Sequence, residues 1–255
     1  MARLSRQPQR IHQLAQLLDP QPRRAALPFQ KAADQGVAPA QAELGFRYMN
    51  GTGVVKDETK AAEWFGKAAA QGNDFAQFRL GWMYSNGEGV PKDLSKAVEW
   101  YEKSAEQGYS TAQANLGTMY FSGIGVPKDE TKAVNWFGKA AAQGDADGQF
   151  KLALAYADGM GISRDETKAA ELFEQSAVQG NGYAQLYLGA MYADGKGIPK
   201  DDVRAYAWLN LAAARNISGA AENRNKIEQR MTLEQRAEAQ KLSAELFEKI
   251  KKQQQ

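Results

Sequence analysis

Few side chains in this sequence could support acid–base, nucleophilic or metal chemistry. His12 is the only histidine, and the 255 residues contain no cysteine. A multi-histidine metal site, a thiolate nucleophile and a disulfide bond are therefore excluded, and a histidine-based triad could use only His12. We interpret His12 as a surface or cap-packing residue, and we predict no catalytic residue, no cofactor site and no metal site.

Two recurring patterns resemble parts of known binding motifs. Gly-x-Gly loops such as residues 87–89 lack the third glycine or the Gly-Lys-Ser/Thr ending of phosphate loops, and they follow a helix rather than a strand. Five aspartates could be acids or metal ligands, but stacked copies would separate them by roughly 10 Å, too far to share an ion. We interpret these aspartates as helix N-caps: Asp57, Asp93, Asp129, Asp165 and Asp201.

The patterns recur because the chain itself repeats. Gln-Gly stands at 35–36, 71–72, 107–108, 143–144 and 179–180, so every step is 36 residues. A fixed period of this length predicts a solenoid whose units stack on their neighbours. Residues that recur in every copy build the scaffold, so function is to be sought at positions that differ between copies.

Each copy has the pattern of a helical hairpin. In residues 73–108, Ala76, Leu80 and Met83 share one helix face. Gly87 is predicted to end this helix in the left-handed conformation, and the second helix is predicted to begin after Asp93.

Recurrent slots on these hairpins define the expected core. Glycine after the leucine slot implies that another helix passes too close for a side chain. Copy four departs most from the pattern, and we expect looser packing there. The core slots hold Leu44, Leu80, Leu116, Leu152 and Leu188, then Tyr48, Tyr84, Tyr120, Tyr156 and Tyr192, and on the second helix Trp64, Trp100, Trp136, Leu172 and Trp208.

The motif as a whole resembles a known family. Ala-Gln-x-x-Leu-Gly-x-x-Tyr-x-x-Gly-x-Gly-Val, then Asp-x-x-Lys-Ala-x-x-Trp and Ala-x-Gln-Gly, is similar to the bacterial type of Sel1-like repeat, a relative of the tetratricopeptide repeat. The resemblance implies an all-α fold, a right-handed α-solenoid of five 36-residue helix-turn-helix repeats with capping helices at both ends. It also implies a general role in protein binding.

The predicted organisation follows from the repeat. Thr232 and Gln235 are spaced as a capping box that would begin a C-terminal helix. We predict a basic N-terminal arm with a short cap helix at 1–26, a partial repeat at 27–36, repeats at 37–72, 73–108, 109–144, 145–180 and 181–216, and C-terminal capping helices with a polar tail at 217–255.

Charge and hydropathy narrow the choice of partner and compartment. Lys plus Arg number 32 against 30 Asp plus Glu, and no basic stripe runs along the repeats, so we do not expect nucleic acid as a partner. No stretch reaches the roughly 20 apolar residues of a membrane span. The arm lacks the apolar core of a signal peptide. We therefore expect a cytoplasmic monomer, or a periplasmic or secreted protein if a signal has been removed.

The candidate binding residues are variable positions on the first helices. Two slots three residues apart lie opposite the core stripe, where helical-hairpin solenoids form a concave groove. Large aromatic and Arg residues in such a place are typical interface anchors, although packing against the neighbouring first helix is an equal alternative. The slots hold Glu43, Arg79, Asn115, Lys151 and Tyr187, and Phe46, Trp82, Thr118, Leu154 and Ala190.

These observations predict a non-catalytic adaptor that binds a partner protein or peptide in this groove. One alternative is an envelope or secreted factor that binds cell-wall material or a host protein, and another is a protein that neutralises a bacterial toxin. A β-lactam-hydrolysing enzyme ranks last, because the chain has no Ser-x-x-Lys, Ser-Asp-Asn or Lys-Thr-Gly.

Overall fold

The computed structural model describes residues 27–253. Within this range the chain forms thirteen helices and no strand, and its repeating helix pairs confirm the prediction of an all-α solenoid of hairpins. The predicted arm at 1–26, with its cap helix and His12, lies outside the described residues.

Ten helices of 13 residues each form the five hairpins. The even-numbered helices from α2 to α10 are the first helices of the copies, and the odd-numbered helices from α3 to α11 are the second helices. In chain order they are α1 Leu27–Asp34, α2 Ala38–Asn50, α3 Glu58–Ala70, α4 Asp74–Asn86, α5 Leu94–Glu106, α6 Ser110–Ser122, α7 Glu130–Ala142, α8 Ala146–Asp158, α9 Glu166–Val178, α10 Gly182–Asp194, α11 Asp202–Ala214, α12 Ala220–Gln229 and α13 Leu233–Gln253.

The helices form two compact units that divide between Lys128 and Asp129. In the first unit the helices from α1 to α5 each pack against the next helix in the chain, and the core includes Phe65 and Met83. In the second unit α7 to α11 do the same, α13 covers α11, and the core includes Phe173.

The predicted caps define the helix boundaries. Asp93 accepts a hydrogen bond from the backbone N–H of Lys96 at 3.0 Å, and the other four aspartates of the series make the same bond. These residues are therefore N-caps, as expected. The first helix of copy two ends at Gly87, whose φ of 77° is left-handed. Thr232 and Gln235 form the predicted capping box, with reciprocal bonds of 2.9 and 3.2 Å.

The recurrent helical glycine permits a close helix crossing. A Cβ atom at Gly81 would lie 2.9 Å from Cδ1 of Tyr101 and 3.1 Å from the carbonyl oxygen of Ala97. Both atoms belong to α5. This confirms that the second helix of the hairpin passes too close for a side chain.

The tyrosine slot corrects the expected core. Tyr192 is buried, but the other four tyrosines of the slot are only half-buried. A lysine from the start of the second helix lies over three of these rings, as Lys96 does over Tyr84 at 5.4 Å from the ring centroid. Arg204 lies over Tyr192 in the same way. The tyrosines thus lie at the rim of the core. Leu152 is also half-buried, unlike the other leucines of its slot, which fits the looser packing expected in copy four.

In copy two a buried glutamine joins the first helix to two second helices. Gln77 donates through Nε2 to the carbonyl oxygen of Ala69 at 3.1 Å, and its Oε1 accepts from Nε2 of Gln107 at 2.7 Å. Ala69 lies at the end of the preceding copy, and Gln107 ends the second helix of the same copy. We call these buried and capping glutamines the glutamine network. It satisfies polar groups that would otherwise be buried without partners.

The fifth copy lacks one member of the glutamine network. Arg215 stands where earlier copies have a capping glutamine, and Oε1 of Gln185, a fully buried residue, has no hydrogen-bond partner. We expect Arg215→Gln to restore the missing donor and to raise the free energy of unfolding by about 1 kcal/mol, measured by chemical denaturation followed by circular dichroism.

The control for this substitution is Arg215→Glu, which has nearly the same shape as glutamine but presents only acceptor atoms. It should give no gain in stability. Equal unfolding free energies for the glutamine and glutamate variants would show that the unpaired oxygen of Gln185 does not limit stability.

Candidate functional site

Each first helix leaves one stripe partly open. In α4 the residues between Ala76 and Met83 that face the core are buried, whereas Phe75, Arg79 and Trp82 are half-buried and Asn86 is exposed. These four follow one another by four, three and four residues, so they lie on one side of the helix. We call the equivalent positions in all five copies the first-helix stripe.

All ten predicted groove residues lie on the first-helix stripe. Tyr187 is 42% exposed, and the other nine are half-buried. Six are in the first unit and four in the second: Glu43, Phe46, Arg79, Trp82, Asn115 and Thr118, and then Lys151, Leu154, Tyr187 and Ala190.

Arg79 lies among three aromatic rings in the first unit. Its guanidinium carbon is 5.5 Å from the ring centroid of Phe46, 5.1 Å from that of Phe75 and 5.7 Å from that of Phe78. We call this group the Arg79 cage. Nε of Arg79 is buried without a hydrogen-bond partner. Burial lowers the pKa of the Arg79 guanidinium, which nevertheless remains cationic, as arginine does in proteins.

Three other polar residues of the stripe in this unit bond within their own helices. Glu43 accepts from Nε of Arg47 at 2.8 Å, a pair that is almost wholly buried. Asn115 donates to the carbonyl oxygen of Thr111 at 2.7 Å, and Thr118 donates to a backbone carbonyl one turn earlier. Their geometry is explained without a ligand.

Two exposed tyrosines characterise the stripe of the second unit. Tyr183 is 56% exposed, and its ring centroid lies 6.2 Å from that of Phe150. Tyr187 stacks on the buried Phe173 at 5.2 Å, with 15° between the ring planes. We call Tyr183 and Tyr187 the tyrosine pair. Tyrosines with a supported apolar ring and an accessible hydroxyl group are frequent at protein interfaces.

The aromatic residues of the first unit both pack and remain partly open. Phe46 lies against Phe75 of the next first helix, with ring centroids 6.2 Å apart. Trp82 packs on the edge of the core cluster of this unit. Both side chains are half-buried, so their role as binding anchors stays a prediction.

Sequence reasoning missed the aromatic residues one turn before the predicted slots. Phe75 precedes Arg79 by four residues, and Tyr183 precedes Tyr187 by the same distance. This position also differs from copy to copy, with Pro39, Thr111 and Asp147 elsewhere. Its variability was the signal that could have identified it.

The Gly-x-Gly loops have a structural role. A Cβ atom at Gly89 would overlap the backbone carbonyl of Glu58 in the preceding second helix. The loop thus packs directly on protein. Between residues 27 and 253 there is no group of three or more side chains suited to bind a metal ion, and no helix in that range has the length and hydropathy needed to cross a membrane.

A family model for the Sel1 repeat matches six segments, which together cover most of the chain. Five of them begin one residue after the copies defined by the Gln-Gly steps, and the first includes the predicted partial repeat. The matched segments are 14–37, 38–73, 74–109, 110–145, 146–181 and 182–217.

Solved structures give the same likeness. A Sel1 repeat protein from Oxalobacter formigenes is 33% identical, with a TM-score of 0.72 over 82% of this chain and 86% of that one. The protein c5321, a protective antigen of uropathogenic Escherichia coli strains, is 34% identical, with a TM-score of 0.62 over 90% of this chain and 57% of that one. No curated protein matched significantly.

Proposed function

Because this chain belongs to the Sel1 repeat family, whose members generally mediate protein–protein interaction, we propose that it is a non-catalytic adaptor. It binds a partner protein or peptide along the first-helix stripe. Sel1-repeat solenoids are typically non-catalytic, which agrees with this role.

One observation carries the proposal. Residues that recur in every copy build the scaffold. The variable first-helix stripe, in contrast, presents partly open aromatic side chains in both units. Such residues supply most of the binding energy in many interfaces. The Arg79 cage would serve this purpose in the first unit, and the tyrosine pair in the second.

The proposal is tested by affinity capture with two double variants, Phe46→Ala/Trp82→Ala and Tyr183→Ala/Tyr187→Ala. Wild type and variants are incubated with extract of the source organism, and captured proteins are quantified by mass spectrometry. A partner bound by the wild type should fall by about 10-fold or more with at least one double variant. The variant that loses it identifies the unit that binds.

The control is Phe247→Ala, which removes a 52% exposed aromatic ring from α13, outside the stripe. It should capture the partner like the wild type, and all variants should keep their helical circular dichroism. Equal capture by the wild type and both double variants would contradict binding by the stripe.

Capture from separate cytoplasmic and envelope extracts distinguishes a cytoplasmic location from one in the envelope. A partner found in only one extract would assign the adaptor to that compartment.

A further inference from the structure

Three basic residues lie on the first helices of the five copies: Arg47, Arg79 and Lys151. Arg47 pairs with Glu43 at 2.8 Å, and Lys151 pairs with Asp147 at 3.6 Å. Arg79 forms no ion pair and no hydrogen bond with any residue in the described range. It is therefore the one cation of these helices without a carboxylate partner in that part of the chain.

The sequence around Arg79 explains why it is unpaired. Carboxylates bond to a helical arginine most readily from three or four residues away. Around Arg79 those positions hold Phe75, Ala76, Trp82 and Met83, none of which accepts an ion pair. The neighbouring carboxylate Glu43 is already paired.

The Arg79 cage leaves one end of the guanidinium available. Nε is buried without a hydrogen-bond partner, whereas the terminal nitrogens Nη1 and Nη2 are not buried in this way. The rings of Phe46, Phe75 and Phe78 hold the group by cation–π contacts. The terminal nitrogens can therefore donate outward in the fork geometry that suits a carboxylate.

Partial burial increases the benefit of an incoming negative charge. A cation shielded from water by aromatic rings has lost part of its hydration, and a charge pair is stronger where the local dielectric constant is low. The phenyl rings compensate only weakly for this lost hydration, since they offer no hydrogen-bond acceptor for the terminal N–H groups. A carboxylate would supply both the charge and the acceptors.

We propose that the Arg79 cage anchors an acidic side chain, aspartate or glutamate, within a peptide segment of the partner. The segment's apolar neighbours would contact the half-buried rings of Phe46 and Trp82 beside the guanidinium. This inference rests on the proposed function and specifies the chemistry of the partner in the first unit.

The test is selection from a phage library that displays random 12-residue peptides at the N-terminus of a coat protein. Such peptides have no free C-terminal carboxylate, so any acidic preference arises from side chains. Peptides selected on the wild type should be enriched in Asp or Glu at one position. Synthetic, C-terminally amidated copies should lose at least about 10-fold in affinity when that residue becomes the amide.

Arg79→Met provides the decisive comparison, because methionine fills the cage without charge or donors. For this variant the acid and amide peptides should bind within about 2-fold of each other, which isolates the coupling between Arg79 and the carboxylate. Arg79→Lys should give an intermediate loss, since lysine keeps the charge but lacks the fork. Circular dichroism verifies that each variant is folded.

The matched control is Lys103→Met, which removes a cation from the same unit. Lys103 is exposed on α5 and lies 4.2 Å from the ring centroid of Trp100, so it shares the cation–π contact but not the stripe. It should leave the acidic preference unchanged.

Two results would overturn the role of Arg79 and leave the adaptor proposal intact. The selected peptides could show no acidic preference, or Arg79→Met could still lose affinity when the acidic residue of the peptide becomes the amide. A selection that yields no binder would overturn the cage as a peptide anchor. The adaptor proposal itself fails only if capture is equal for the wild type and both stripe variants.

Discussion

Replacing Gly89 with alanine is expected to lower the free energy of unfolding of the first unit by about 3–5 kcal/mol. Gly89 has a φ of +67°, a conformation that alanine rarely adopts, and its Cβ would overlap the carbonyl of Glu58. The obstacle is backbone in the first turn of α3, which cannot move aside as a flexible side chain could. The substitution must therefore displace the loop or the preceding helix.

The control for Gly89 is Gly66→Ala in the same unit. Gly66 lies within α3, and a Cβ there would meet no atom within 4 Å. This variant should gain roughly 0.5–1 kcal/mol, because alanine favours the helix. Chemical denaturation followed by circular dichroism measures both. Similar unfolding midpoints for the two variants would contradict the close contact between loop and helix.

Phe173→Ala is expected to cost the second unit about 3–5 kcal/mol, the usual range for removing a buried phenylalanine. Phe173 is 0% exposed, and its ring lies 5.9 Å from that of Phe150. The ring also supports Tyr187. We therefore expect the variant to weaken any binding that depends on the tyrosine pair, even at temperatures where it remains folded.

Phe247→Ala is the control here too, because it removes the same side chain from an exposed position of the second unit. Its unfolding free energy should stay within about 0.5 kcal/mol of the wild type. If Phe173→Ala proved equally mild, the cluster of Phe150, Phe173 and Tyr187 would not be the packed core that the ring distances indicate.

Most of the fold could be predicted from the sequence because its determinants are local and recur. The period, the aspartate caps and the left-handed glycines are set by short-range chemistry, and the crossing at Gly81 followed from a glycine that costs helix stability. The burial of a slot was less predictable. Tyr84 and Tyr192 occupy the same slot, yet only Tyr192 is buried, because burial depends on which residues cover each copy.

The candidate site was predictable as a surface but not in its details. Comparing the variable positions with the core stripe placed Arg79 and Tyr187 on the partly open side of their own first helices. The environment of Arg79 was not visible, because Phe46 lies on the preceding first helix and packs beside it only after folding. Likewise, the support that Phe173 gives Tyr187 comes from a second helix.

The glutamine network and the loop glycines have a consequence for how such a protein can evolve. Gln77 reaches back to Ala69 in the copy before it, and Gly89 rests on Glu58 of that same copy. The hydrogen bond and the packing contact each need only an adjacent copy of the same kind. An in-frame duplication or loss of one copy of this kind would recreate the same junction, so a lineage can change the number of copies, and with it the length of the first-helix stripe, in a single genetic event.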